Sequence, residues 1–335
     1  MSLSDFNTYL VVTPFFPSKE SFVGSYIFDQ LNELKKQSDF NIKVVKLVPF
    51  FSKETHYDFK GFSVKIFKTL DFPFFVFPGL FNWLNKSRFK YFLYRSRIKD
   101  IKFSHSHVAY PSLYLVEDLS CIKIIQHHGL DVLQLRNGRS RFVRALQKGL
   151  LIKNTIRHLN SADINLGVSK LVLESLNSYT TYSPKKEYVL YNGVDTKKFF
   201  FKKVQRDSVF TIGCIANFWK IKGHILLIKS VQSILIRHKV RLRLIGSGPC
   251  LKECQDYVYK NNLSEYIFFE QEIAHEKLND FYNEIDLFVL PSSYEALGCV
   301  YLEAWATRTP FLAIERQGIS ELVPENEKNN LAKLT

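Results

Sequence analysis

Short apolar runs alternate along the chain with segments whose apolar residues recur at helical spacing. The first such run, residues 9–12, is followed by a helical pattern over residues 24–36 and by a second apolar run at 42–48. Further short runs in the first part of the chain lie at residues 122–126, 164–168 and 188–191. Apolar runs of this length, separated by helical segments, predict a parallel sheet covered by helices.

A second alternating series starts after residues 195–207, a segment rich in Lys and Phe that has no sustained period. Its predicted strands are residues 210–215, 241–245, 267–269, 287–290 and 310–314. Its predicted helices are residues 224–237, 251–261, 276–284 and 299–306. The fold class is therefore α/β, with two Rossmann-like domains, residues 1–196 and 207–335, facing a central cleft. Ligands of such sheets bind at the carboxyl ends of the strands.

The net charge of +14 indicates an anionic partner. A dense basic segment contains Lys86, Arg88, Lys90, Arg95, Arg97, Lys99 and Lys102. It follows an aromatic run of Phe72, Phe74, Phe75, Phe77, Phe81 and Trp83. Two interpretations stay open: a solvated helix face beside a core-packing loop, or a peripheral contact with an anionic membrane. No nucleic-acid partner is expected, because no zinc, RNP or helix-turn-helix signature accompanies the charge.

Several features favour a cytoplasmic protein. The chain start lacks a basic segment and a cleavage site, so no signal peptide is expected. The longest apolar stretch, residues 70–84, is interrupted by an acid and two prolines and is shorter than the roughly 20 residues of a spanning helix. The five cysteines are scattered and contain no C-x-x-C pair, which is typical of reduced thiols and predicts no metal cluster.

The residues most indicative of ligand binding lie in the segment 291–304, which follows an apolar strand and begins a helix. Gly298 permits a tight turn, so the amides of Leu297, Gly298 and Cys299 can converge on an anion at the helix start. Glu295 precedes this turn and Glu303 follows it. Either acid alone is more often a surface residue. As a pair beside an anion site, they could accept hydrogen bonds from the hydroxyl groups of a ribose and a hexose.

The E-x7-E spacing in this strand–glycine–helix context resembles the retaining, GT-B-fold glycosyltransferases of the GT4 family. Further segments resemble the family in the same order along essentially the whole chain. They are the glycine turn at residues 22–25, H-G-L-D at 128–131, N-G-V-D at 192–195, a strand and basic loop at 212–223, and a glycine turn at 244–249.

The resemblance implies roles for individual residues. Glu303 would hold the ribose hydroxyls of a nucleotide, and Glu295 would contact the donor sugar at the reaction centre. The amides around Leu297, Gly298 and Cys299 would hold the distal phosphate. Lys222, helped by Lys220, would neutralise the departing diphosphate.

The remaining implied contacts come from glycine turns and the first domain. His128 would reach the donor sugar from that domain, and Gly24 would let the backbone approach the phosphates. Asn217 and Gly246 lie in the loops expected to meet the donor. Together with Glu295, Lys222 and His128 are the expected catalytic residues, whereas Glu303 is expected to bind the nucleotide.

The sequence departs from the family pattern at four places. Asn217 stands where many members have an Arg, and Ala296-Leu297 replaces the usual Pro-Phe. Arg308 replaces a common Gly where a positive φ is often needed. The chain ends at Thr335, so the C-terminal helices are expected to be shortened.

The resemblance implies a metal-independent hexosyltransferase that uses a nucleotide-sugar donor, a saccharide or lipid-linked acceptor, and no cofactor. Surface polysaccharide biosynthesis (capsule, O-antigen or exopolysaccharide) is the expected setting. Alternatives are an inactive, membrane-associated scaffold or a sugar-nucleotide epimerase of the same fold. A dinucleotide oxidoreductase is disfavoured, because Leu251 occupies the third glycine position of its fingerprint.

Overall fold

The computed structural model describes residues 7–70, 81–129, 152–205 and 208–333. The chain divides into two compact units, Met1–Tyr191 and Asn192–Thr335. Each unit is built around its own sheet. Within the described residues, no helix is both long enough and apolar enough to span a membrane.

The first unit contains an eight-stranded sheet in the order β3-β4-β2-β1-β5-β6-β7-β8. Every neighbouring pair is parallel except β3 and β4, which form an antiparallel edge. The strands are β1 (Thr8–Thr13), β2 (Asn41–Pro49), β3 (Tyr57–Phe59), β4 (Phe62–Thr69), β5 (Ile101–His107), β6 (Ile122–His127), β7 (Ile164–Gly167) and β8 (Glu187–Val189).

Helices and turns connect these strands. They are α1 (Ser25–Gln37), α2 (Asn82–Arg95), an irregular helical turn (Ala109–Leu113), α3 (Tyr114–Val116), α4 (Lys153–Ser161) and α5 (Lys170–Asn177). All six residues of β1 are buried, as expected of a strand covered on both faces. Ile27, Phe28 and Leu31 of α1 belong to the same apolar cluster as β1 and β2. The predicted α/β architecture of this unit is confirmed.

Three strands of the first unit, β3, β4 and β5, are missing from the sequence prediction. Among them, β5 has the most polar buried residues. Its second half, Ser104 to His107, is polar in every position, yet all four residues are buried. Hydrophobic periodicity cannot detect such a strand, because its buried side chains are polar.

The second unit contains six parallel strands in the order β11-β10-β9-β12-β13-β14. They are β9 (Phe210–Ile215), β10 (Val240–Ile245), β11 (Ile267–Glu270), β12 (Leu287–Leu290), β13 (Phe311–Ile314) and β14 (Leu331–Ala332). The helices are α6 (His224–Leu235), α7 (Leu251–Lys260), α8 (Leu278–Glu284) and α9 (Cys299–Ala306). Short 3-10 turns cover Lys220–Lys222, His275–Lys277, Gly318–Glu321 and Glu325–Asn330.

The strand order of the second sheet reverses at β9. The chain proceeds from β9 to β10 on one side and later returns to β12 on the other side. In open parallel sheets this switch point leaves a crevice outside the carboxyl ends of the strands, where ligands bind. The loops that follow β9 and β12 therefore form the natural position for a site.

Candidate active site

The loop after β9 presents two lysines. A 3-10 turn, Lys220–Lys222, ends at Gly223, whose φ of 73° starts α6. A Cβ at Gly223 would lie 2.3 Å from the carbonyl oxygen of Pro291, so this loop packs directly on the loop after β12. Lys220 and Asn217 are exposed, whereas Lys222 is partly buried. The three side chains predicted to meet an anion thus lie on one loop.

Lys222 and Glu295 are in direct contact. The Lys222 Nζ donates to Oε1 of Glu295 at 2.5 Å, and the hydroxyl of Ser292 donates to the same oxygen at 2.7 Å. Ser292 is fully buried, and the side chain of Glu295 is 11% exposed. The predicted cation and the predicted sugar-binding acid therefore form one hydrogen-bonded cluster. Ser292 is a member that sequence reasoning missed.

Residues after β13 hold the loop that carries Glu295. The amide of Glu295 donates to Oε1 of Gln317 at 2.5 Å, and the amide of Gly318 donates to the carbonyl of Glu295 at 3.1 Å. A Cβ at Gly318 would lie 1.8 Å from the carbonyl oxygen of Ala296. Since only glycine permits this approach, the loop after β13 fixes the loop after β12.

Helix α9 begins at the turn predicted to bind an anion. Gly298 precedes it with φ 82°, and a Cβ on Gly298 would clash with the ring of Tyr301. The first turn of a helix leaves amide donors without intrahelical acceptors, so the amides of Leu297, Gly298 and Cys299 lie where an anion could bind, and their predicted role stays a prediction.

Cys299 begins α9 but is not a reactive thiol. Burial, followed by the nearby charges of Glu303 and Glu295, raises the pKa of Cys299 to about 12. The thiol is therefore protonated at neutral pH and is a poor nucleophile. Both acids therefore lie near the start of α9.

Glu303 is held by a buried tyrosine. The hydroxyl of Tyr282 donates to Oε2 of Glu303 at 2.8 Å, and Tyr282 has no exposed surface. Burial and the charge of Glu303 raise the pKa of Tyr282 well above its usual value, so the phenol stays a hydrogen-bond donor. A carboxylate accepts several hydrogen bonds, and Glu303 therefore keeps acceptor capacity for a ligand. Tyr282 is a further residue that sequence reasoning missed.

Gly246 follows β10 at the same edge of the sheet. Its φ is 143°, and a Cβ there would lie 2.2 Å from the carbonyl oxygen of Ala216. The glycine is thus required where the loops after β9 and β10 touch. This backbone packing explains why position 246 is a glycine. The predicted contact of Gly246 with a ligand stays a prediction.

The remaining predicted residues, Gly24 and His128, lie in the first unit. Gly24 (φ 87°) follows β1, and a Cβ there would lie 2.7 Å from the carbonyl carbon and oxygen of Phe15. His128 follows β6 and is partly buried. Burial, followed by the neighbouring His105 and His127, lowers the pKa of His128 to about 3, so its ring is neutral at physiological pH. Asp131 lies outside the described residues.

Arg308 adopts the backbone conformation expected of the glycine it replaces. Its φ is 59°, in the left-handed region, and its guanidinium lies 5.3 Å from the ring centroid of Phe201. The cation–π contact offsets part of the backbone cost.

The described parts of the chain contain no cluster of three or more His, Cys, Asp or Glu side chains arranged to hold a metal ion. All five cysteines are free thiols.

The second unit matches a known family. Residues 195–334 match the family model described as glycosyl transferases, group 1. An uncharacterized glycosyltransferase of Methanocaldococcus jannaschii is 28% identical over 239 residues, which cover 68% of this chain and 61% of that protein. The lipopolysaccharide core biosynthesis mannosyltransferase of Rhizobium meliloti is 32% identical over 150 residues, which cover 40% of this chain and 42% of that protein. The chain thus spans less than two thirds of these relatives.

The fold of both units has a solved counterpart. Sucrose-phosphate synthase from Thermosynechococcus elongatus superimposes with a TM-score of 0.75 at 15% identity, over 98% of this chain and 86% of that one. Two Rossmann-like domains with parallel sheets form the GT-B fold, so the predicted fold class is confirmed.

Proposed function

We propose that the chain, whose residues 195–334 match the model of group 1 glycosyl transferases, transfers a hexose-type sugar from a nucleoside diphosphate sugar to a saccharide or lipid-linked acceptor. The observation that supports this proposal most is the cluster at the switch point of the second sheet. It combines a lysine, two acids and the amide donors of a helix start. An anionic ligand that also carries hydroxyl groups matches this combination, and a nucleotide sugar has both.

Each residue has a specific task in this proposal. The diphosphate lies against the first turn of α9 and the Nζ of Lys222, which neutralise the charge that develops on the leaving group. Glu303, held by Tyr282, accepts hydrogen bonds from the ribose. Glu295 accepts hydrogen bonds from the sugar. Asn217, Lys220 and Gly246 line the same edge of the sheet.

We further propose that transfer retains the anomeric configuration and needs neither a metal ion nor a cofactor. Cys299 is protonated, and Glu295 already accepts hydrogen bonds from Lys222 and Ser292. Both observations favour a front-side route, in which the departing phosphate accepts the proton of the acceptor hydroxyl. Proton NMR of the product reports the anomeric configuration, and activity that persists in EDTA supports metal independence.

A screen of nucleotide sugars by thermal shift tests the donor site. A matching donor should raise the unfolding temperature of the wild type, and Lys222→Ala should abolish most of that shift. Asp280→Asn is a matched control, because Asp280 pairs with the exposed Lys202 at 2.6 Å in the same unit. If no nucleotide sugar stabilises the wild type, the scaffold alternative gains support. Diphosphate release that does not depend on an acceptor would favour an epimerase or hydrolase instead.

The setting that we propose is surface polysaccharide biosynthesis, which the name of the Rhizobium meliloti relative supports. A cytoplasmic location stays a prediction.

A peripheral membrane contact through α2 is part of the proposal. Trp83, Tyr91 and Tyr94 on α2 are 70%, 64% and 79% exposed. Phe51, in the turn after β2, is 89% exposed. Exposed Lys90 and Arg95 lie on the same helix. Exposed aromatic rings interleaved with bases match an anionic headgroup surface. The predicted aromatic residues 72–77 lie outside the described residues.

Part of the basic segment is neutralised within the protein. Lys86 pairs with Glu117 at 2.5 Å and Asp118 at 3.3 Å, so it does not contribute to such a surface.

Sedimentation with vesicles tests this contact. The wild type should bind vesicles containing phosphatidylglycerol at low salt and should not bind pure phosphatidylcholine vesicles. A Trp83→Ala, Tyr94→Ala double variant should lose binding. Tyr259→Ala removes a ring of the same exposure, 79%, from the second unit and should not affect binding. Equal sedimentation of the double variant and the wild type would remove α2 from the proposal.

A further inference from the structure

The first unit has a basic cavity between β4 and α2. Its volume is about 370 Å³, within the range of roughly 300–1,000 Å³ that is typical of small-molecule sites. Three cations line it: Lys68 from the end of β4, and Arg88 and Arg95 from α2. The rings of Phe67 and Phe92 form part of the same wall. Of the described residues that line the cavity, none is acidic.

The charges of these three cations are not neutralised by the protein. Across residues 7–70, 81–129, 152–205 and 208–333, none of the three forms an ion pair with an acid. Lys86, on the same helix, differs because two acids pair with it. Positive charges around one cavity repel one another, and an anion that enters it relieves this repulsion. The cavity therefore favours an anionic ligand.

Contacts within the first unit hold Arg88 in place. Its guanidinium carbon lies 5.6 Å from the ring centroid of Phe50 and 5.4 Å from that of Phe67. Its Nη1 donates to Oδ1 of Asn85 at 3.2 Å. Asn85 is 4% exposed and is fixed by two hydrogen bonds of 3.0 Å with the backbone of Leu70. A guanidinium has five N–H donors, so a planar group held in this way can still contact two oxygens of a phosphate.

The number of cations distinguishes among the possible anions. A phosphate monoester carries about 1.5 to 2 negative charges at pH 7. A carboxylate or a phosphodiester carries a single negative charge. Three cations in one cavity match the more highly charged group, because each unneutralised cation that stays near the ligand adds attraction. The adjacent rings suit a carbon chain or ring attached to the phosphate.

We propose that the cavity formed by Lys68, Arg88 and Arg95 binds a phosphate monoester or a diphosphate group. The group belongs either to the headgroup of a lipid or to a soluble phosphorylated molecule, and both present the same oxygens to the cations. This inference goes beyond the proposed function, because it adds a second anion site, in the first unit, that does not take the nucleotide. It also differs from a general attraction to anionic membranes, because it requires a preference for phosphate groups of higher charge.

Variants that remove one positive charge each test the site. Arg88→Gln and Lys68→Gln remove a cation from the helix and from the strand, and Arg88→Lys keeps the charge but loses the planar group. Lys99→Gln is the matched control, because Lys99 belongs to the same basic segment, has a side chain that is 83% exposed and does not line the cavity. All are made in the Lys222→Ala background, which removes the cation of the other proposed diphosphate site. Circular dichroism and the unfolding temperature establish that each variant is folded.

Titration calorimetry at low salt measures binding in solution. The probes are inorganic phosphate, inorganic diphosphate and glycerol 3-phosphate, with dimethyl phosphate as the singly charged comparison. A bound probe should lose about tenfold in affinity in Arg88→Gln and in Lys68→Gln, because each variant removes a charge-assisted hydrogen bond. Arg88→Lys should lose less, and Lys99→Gln should match its parent. Dimethyl phosphate should bind at least about tenfold more weakly than the best probe.

Vesicle sedimentation measures binding to a lipid. Vesicles that contain phosphatidic acid, a phosphate monoester, are compared with phosphatidylglycerol vesicles of equal surface charge. The parent protein should prefer phosphatidic acid, and Arg88→Gln should bind both kinds of vesicle equally. Lys99→Gln should retain the preference. A preference seen with vesicles but with none of the soluble probes identifies a lipid headgroup as the source of the phosphate, whereas binding of the soluble probes alone identifies a soluble one.

The inference is overturned if no probe and no vesicle shows a preference that depends on Arg88 or Lys68. It is also overturned if Lys99→Gln loses as much binding as Arg88→Gln, because the effect would then reflect net charge alone. If Arg88→Gln does not fold, Lys68→Gln decides the outcome. Neither measurement uses a nucleotide sugar, so a failure of the proposed transferase activity leaves this result unchanged.

Discussion

The pairing of Lys222 with Glu295 makes a specific prediction about Glu295→Gln. Glu295 pairs with Lys222, the cation that is proposed to bind the diphosphate. Donor binding must therefore displace or share this partner. Glutamine has nearly the shape of glutamate and can still accept from Ser292, but it no longer competes as an anion. We expect Glu295→Gln to bind a nucleoside diphosphate more tightly than the wild type while transferring sugar more slowly.

The magnitude follows from the geometry of the pair. A charge-assisted hydrogen bond contributes about 1.5–3 kcal/mol. The side chains of Lys222 and Glu295 are 25% and 11% exposed, so solvent screens part of this energy. A discounted value of about 1 kcal/mol corresponds to roughly fivefold tighter binding.

Isothermal titration with UDP, GDP and ADP measures this effect. Whichever diphosphate the wild type binds should bind Glu295→Gln roughly fivefold more tightly and Lys222→Ala more weakly. Asp280→Asn, which frees an exposed lysine of the same unit, should behave like the wild type. Equal or weaker diphosphate binding by Glu295→Gln would refute the competition between carboxylate and phosphate.

Three further predictions follow from single contacts. In chemical denaturation, Gly318→Ala should lower the free energy of unfolding by about 2 kcal/mol, because its Cβ would lie 1.8 Å from the Ala296 carbonyl oxygen. Gly193→Ala is the control and should be nearly neutral, because a Cβ there has nothing within 4 Å. Glu303→Ala should weaken diphosphate binding by about tenfold in titration calorimetry, through loss of a charge-assisted hydrogen bond, and undiminished affinity would exclude it from the ribose site. Burial lowers the pKa of His224 to about 4. Below about pH 6.5, therefore, only the unfolded chain takes up this proton, and the free energy of unfolding falls by about 1–2 kcal/mol by pH 5. In chemical denaturation at pH 5 and 7, His224→Phe should reduce this loss, whereas substitution of the exposed histidine in His238→Gln should not.

The sequence predicted most strands whose buried residues form an apolar run. The alternating strand β4 was missed, although Phe62, Val64 and Ile66 are buried. The strands β1, β2, β9 and β12 are apolar runs, and each was recognised as a strand. The polar end of β5 was missed, because Ser104 to His107 are buried although all four are polar. Periodicity detects contact with an apolar core and does not detect a polar interior.

The sequence predicted those residues of the candidate site that lie close together along the chain. The turn at Gly298 fixes how Glu295 and Glu303 are presented, since all three lie within one loop and one helix. The partners of these acids come from elsewhere in the chain: Tyr282 is 21 residues from Glu303, and Gln317 is 22 residues from Glu295. Such contacts depend on how neighbouring strands place their loops, which a single sequence does not show. For the same reason, the close approach of Gly24 to Phe15 could not be foreseen.

The central claim is that the second unit holds a nucleotide sugar by its diphosphate and releases that diphosphate when an acceptor hydroxyl attacks. Nucleoside diphosphate release, measured from a panel of nucleotide sugars with and without a pool of saccharide and lipid-linked acceptors, tests it most directly. We predict that one donor yields diphosphate only when acceptor is present and that Lys222→Ala loses this activity. Acceptor-dependent release that is as fast in Lys222→Ala as in the wild type would contradict the account.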